Sequence, residues 1–82
     1  MRFYFTYGSE GQDYYGGWTV VEAPNINAAI AAFNAFHKPK GEFINCSSIY
    51  LETDIKQSNM WKNGNFGQFC HETISLTRDE VN

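Results

Sequence analysis

The chain has 82 residues, 43% hydrophobic and 17% aromatic, with nine acidic residues against six basic ones and a net charge of −3. That length holds one small domain, residues 1–82, and the apolar share is too high for a disordered chain. Scattered acids and a negative balance argue against general affinity for a phosphate backbone, and no run approaches the roughly 20 apolar residues of a membrane helix.

RFYFTYG, residues 2–8, alternates with period two and reads as a strand, with Phe3, Phe5 and Tyr7 on one face. SEGQDYYGG, residues 9–17, is a Gly-rich loop carrying two tyrosines. WTVVEA, residues 18–23, is β-branched and predicts a second strand, paired antiparallel with the first and stopped by Pro24. NINAAIAAFNAFH, residues 25–37, is the clearest helix. Asn25 or Asn27 can cap it, and Ile26, Ile30, Phe33 and Phe36 or His37 supply the apolar face. Pro39 ends it.

EFINCSSIYLE, residues 42–52, predicts a third strand, most securely from Cys46 to Leu51. Residues 53–61 are ambiguous, with Thr53 or Asp54 able to cap a short helix. KNGNFGQ, residues 62–68, is a loop dense in Asn and Gly, and HETISLT, residues 71–77, alternates again as a fourth strand. RDEVN reads as a frayed tail. The order ββαβ(α)β predicts an α+β domain: a small antiparallel sheet with one main helix across a face.

A domain of this size buries only roughly 60–65% of its unfolded surface, so a metal, a disulfide or an oligomer would help it. His37, Cys46, Cys70 and His71 match a tetrahedral zinc set by residue type, and all four stand at predicted element ends. Their spacing is not that of ordinary zinc fingers. Neighbours in a strand point to opposite faces, so Cys70 and His71 can share an ion only if the chain bends after Gly67. If the strand starts earlier, Cys70 follows Ile74 inward, His71 points out, and water or Glu72 becomes the fourth ligand. The competing reading makes both cysteines small buried hydrophobes and both histidines surface groups.

No Walker loop, HExxH or GxSxG is present, and no complete nucleophile–base–orienter set is legible, which argues against an enzyme. A thiol enzyme on Cys46 or Cys70 with His37 is the weaker alternative. The first strand loosely resembles base-stacking strands of RNA-binding sheets, but it lacks flanking basic residues, and its rings read as core. The loop rings Tyr14, Tyr15, Trp61 and Phe66 are candidate protein-binding anchors, since Tyr and Trp dominate interface hot spots; the other reading folds them back over the sheet ends. Trp18, at a strand start, reads as one that folds back.

FYFTYGSEGQ, the GGW before a β-branched strand, VEAPNINAAIAAF, NCSSIYLE and MWKNGNFGQFCHETI together resemble a group of small phage and prophage proteins of Gram-positive bacteria. The likeness runs from Phe3 to Ile74 and is most specific at NGNFG and CHE. Some phage proteins of this kind are anti-CRISPR inhibitors of type II RNA-guided nucleases, zinc-containing ones among them. The resemblance implies a cytoplasmic inhibitor that binds the nuclease protein, for instance to block DNA loading, with a structural zinc on His37, Cys46, Cys70 and His71.

Overall fold

The computed structural model describes residues 1–76; Thr77 of the predicted fourth strand and the RDEVN tail lie outside the described residues. The elements are β1 (Arg2–Thr6), β2 (Trp18–Glu22), α1 (Ile26–Phe36), β3 (Ser48–Leu51), α2 (Glu52–Lys56), α3 (Asn59–Asn63) and β4 (Cys70–Ser75). The class is α+β, as the hydrophobic periods predict, with one four-stranded sheet in the order β3-β1-β2-β4.

The sheet is mixed rather than antiparallel. β1 pairs antiparallel with both β2 and β3, whereas β4 lies parallel to β2. The cause is the link after β3. Parallel strands cannot be joined by a tight hairpin. Residues 52–69, with the two short helices α2 and α3, carry the chain from one sheet edge to the other. The ambiguous stretch 53–61 is thus the crossover.

Alternation in β1 places Phe3, Phe5 and Tyr7 against α1 in a core that also holds Val21, Ala29, Phe33 and Ile74. Phe5 and Phe33 stack with centroids 4.3 Å apart. The opposite face is covered as well: Tyr4, Trp18 and Val20 form a second cluster with Ile55 of α2. All of β1 beyond Arg2 is therefore buried, and its rings are not free to stack on bases.

The Asn25 side chain accepts the Ala28 N–H at 2.8 Å and caps α1. Its inner face is Ala29, Ala32 and Phe33, while the expected Ile26 and Phe36 are exposed. The third strand is shorter than expected. Residues 42–47 are irregular because Asn45 is buried, its side-chain oxygen accepting the Asp13 N–H at 2.9 Å.

Candidate functional site

β4 carries the feature that the sequence could not place. Trp18 pairs with Cys70 but Thr19 pairs with Glu72, which leaves His71 as an extra residue in β4. That residue resets the alternation. Cys70 is exposed on the α2–α3 side, in a groove of about 310 Å³ lined also by Tyr4, Trp18, Val20, Trp61 and Phe69. His71 and Glu72 both turn toward the α1 side. The expected inward Cys70 and outward His71 are thus reversed.

Glu72 meets His37, the C-cap of α1, with Nε2 to Oε2 at 2.6 Å. The other ring nitrogen, Nδ1, lies 2.7 Å from Oδ2 of Asp13, which comes from the 9–17 loop. Both ring nitrogens therefore face carboxylate oxygens, one from the loop and one from β4. The Thr19 hydroxyl donates to the same Glu72 oxygen at 2.8 Å. With that proton committed, the buried Tyr7 hydroxyl donates to Thr19 at 2.5 Å. A chain of polar groups therefore runs from the core through Thr19, Glu72 and His37 to Asp13.

Electrostatics follow the contacts. The hydrogen bond from His37, then that from Asn45, holds the Asp13 carboxyl below its usual value. Burial pushes the Tyr7 phenol well above its ordinary range. The Glu72 charge raises Tyr14, whose ring stacks on His71 at 4.1 Å. His71 in turn donates from Nε2 to the Gly16 carbonyl at 2.8 Å. His37 is only 7% exposed and both its nitrogens are engaged. It serves as a clasp joining loop, helix and strand.

These residues do not fit the zinc set expected from the sequence. A histidine ligand needs a free lone pair and a cysteine ligand must be a thiolate. His37 offers neither nitrogen. The Cys46 thiol lies in the apolar core, and burial alone pushes it up to about 11. Cys70 is on the far face. Among the described residues no three His, Cys, Asp or Glu side chains are placed to hold a metal ion.

The same placements bear on thiol chemistry. In native protein at pH 8, Cys70 is expected to react with an alkylating reagent at the rate of an accessible thiol, and Cys46 only after denaturant is added. Mass spectrometry of partly labelled protein reads this directly, and comparable labelling of both residues without denaturant contradicts the burial of Cys46.

The four expected anchors divide into two pairs. Tyr14 is half-buried against His71, and Trp61 folds back, edge-on to Tyr4 at 5.9 Å and stacked on Trp18 at 6.0 Å. Trp18 itself is buried. Tyr15 and Phe66 point outward, 67% and 59% exposed, and stack on each other at 5.1 Å with planes 7° apart. Phe69, 50% exposed, was missed by the sequence reading because its strand reading starts only at residue 71. Phe43 is also exposed, in the irregular stretch that reads as strand.

The two loops that hold Tyr15 and Phe66 are locked together. The Gly17 N–H donates to the Asn65 carbonyl at 3.1 Å, and the Trp18 N–H to the Phe69 carbonyl at 3.2 Å. The Asn65 side chain donates to the Tyr7 carbonyl at 2.7 Å. Asn65 and Gln68 exchange backbone bonds around the turn. Within it Phe66 has φ of 57°, the one non-glycine residue at positive φ among those described.

The chain matches no family model, and no curated protein or solved structure is significantly similar to it.

Proposed function

We propose that this chain is a non-catalytic protein-binding domain that docks through the Tyr15–Phe66 pair. The observation that carries this reading is the backbone of Phe66. A bulky residue at positive φ costs on the order of 1 kcal/mol, where Gly or Asn would be nearly free. The ring so placed is largely exposed, so core packing does not repay that cost. Strain kept on an exposed, stacked aromatic held by rigid loops is the signature of a contact made with something else.

For the partner, the resemblance to phage proteins supports a bacterial defence effector, a type II RNA-guided nuclease, bound in the host cytoplasm. Such a nuclease presents basic channels for nucleic acid, and a chain of net charge −3 suits them. Inhibition then comes from occupying the nuclease surface needed for DNA loading or cleavage, with no chemistry by this chain.

The test is co-purification with a type II nuclease, coupled to a DNA-cleavage assay. The wild-type chain is expected to form a complex and suppress cleavage. Phe66→Asn and Tyr15→Ala are each expected to weaken binding by about 30-fold or more, the effect of a hot-spot residue. Asn tolerates the backbone angle, so thermal stability of Phe66→Asn should stay within about 1 kcal/mol of wild type. A complex indifferent to both substitutions rules out this docking surface, and no complex with any type II nuclease rules out the partner class.

A further inference from the structure

We propose that the outer edge of β4 is a self-association surface, where a second copy of the chain adds its own β4 antiparallel about a two-fold axis. This goes beyond the docking role of Tyr15 and Phe66 and uses different residues.

Among the described residues, β4 ends the sheet on one side and is bonded to β2 alone. Its outer row of N–H and C=O groups has no strand partner among the described residues. Such a row is satisfied by an extended backbone, and proteins normally blunt it with Lys, Pro, bulges or brevity. CHETIS contains no Pro and no Lys, and it is six residues long. Its one irregularity lies at its start; from Glu72 to Ser75 the register is unbroken. The opposite edge differs: β3 has four residues and runs directly into α2.

Charge selects the second copy as the occupant. Like charges opposite each other disfavour self-pairing of a strand. The one acidic side chain of β4, Glu72, is turned inward onto His37 and Thr19. No Lys or Arg is present in β4; the exposed Thr73 and Ser75 are small hydroxyl residues, Ser75 donating to Glu22 of β2 and Thr73 left to pair across strands. A strand laid antiparallel on its own copy matches donors to acceptors by symmetry. The product is an eight-stranded sheet with two Tyr15–Phe66 pairs, which gives a bivalent partner an avidity gain.

The test is sedimentation velocity on the full chain over a concentration series, in reductant so that Cys70 forms no cross-link. A concentration-dependent dimer is expected. Thr73→Lys, which adds a charge to the pairing edge of both copies, should be monomeric at the same concentrations with an unchanged circular dichroism spectrum. A chain that stays monomeric throughout overturns the proposal, as does a dimer that Thr73→Lys leaves intact. If Thr73→Lys does not fold, hydrogen exchange on the wild type decides. The Thr73 and Ser75 amides, which point away from β2, should slow as concentration rises, and equal rates at low and high concentration overturn the proposal.

Discussion

Replacing His37 with alanine is expected to cost about 3 kcal/mol of folding stability, close to the whole margin of roughly 3–5 kcal/mol that so small a core supplies. The loss comes from what the imidazole leaves behind rather than from its own small volume. Asp13 and Glu72 lose their shared partner, and the Thr19–Tyr7 relay then ends on a half-buried, unpaired carboxylate. Urea midpoints at pH 7 measure the effect. Adding Glu72→Gln to His37→Ala should recover a good part of the loss, because the stranded charge is removed, whereas Asp13 keeps Lys40 as a partner. A His37→Ala midpoint equal to wild type would show that the clasp contributes nothing.

The clasp also gives the stability an acid dependence whose sign is fixed by Asp13. Its pKa is lower folded than unfolded, mainly through the His37 hydrogen bond. The stability it contributes is therefore fully present above the unfolded value, near 4, and is lost as pH falls through the lower folded value. Asp13→Asn should flatten the stability profile in that acid window. An unchanged acid slope in Asp13→Asn would place the dependence on another group.

Gly17→Ala is expected to be at least as damaging, about 3–4 kcal/mol, from the overlap of one methyl group with backbone and the added cost of positive φ. A Cβ at Gly17 would run into the Phe69 carbonyl oxygen and the His71 ring, with φ at +70°. The carbonyl is already committed to the Trp18 N–H, so it cannot retreat without breaking the entry to the β2–β4 pair. Loss of the folded baseline in thermal melts is the expected result. Gly11→Ala has the same sign of φ but open space around it, so it should cost only the backbone penalty of about 1 kcal/mol. Equal effects at the two positions would show that backbone angle, and not the close approach of the loops, dominates.

Much of the architecture was legible in the residues. Period two in RFYFTY and the β-branched run after Gly17 identify the central strand pair, and Asn25 with its alanine-rich follow-up identifies α1. These are local signals, because alternation and capping act over a few residues. The direction of β4 was not legible, since HETIS alternates identically in parallel and antiparallel sheets. The helical face was misread at Ile26 and Phe36, because hydrophobicity alone ranked them above Ala29 and Ala32, whereas close packing favours the small residues.

At the site the division is sharper. Residue types in the sequence pointed to His37, Cys46, Cys70 and His71 as a set, and Tyr14, Tyr15, Trp61 and Phe66 as another. Asp13 and Glu72, the partners that define the role of His37, were not singled out as its partners. They lie 24 and 35 positions from it, and no local pattern signals such a pairing.

The sequence by itself determined the central strands β1 and β2 and the helix α1, that the Phe3, Phe5 and Tyr7 rings would enter a core, and that two Gly-rich loops carry aromatics. Those follow from forces that act within a few residues of chain. Only the tertiary structure decided that β4 joins in parallel, that one extra residue at His71 sends Cys70 outward, and that His37 spends both nitrogens on carboxylates. Each of these depends on which distant segments share a sheet edge, and a single added residue in a strand reverses every side chain on one side of it.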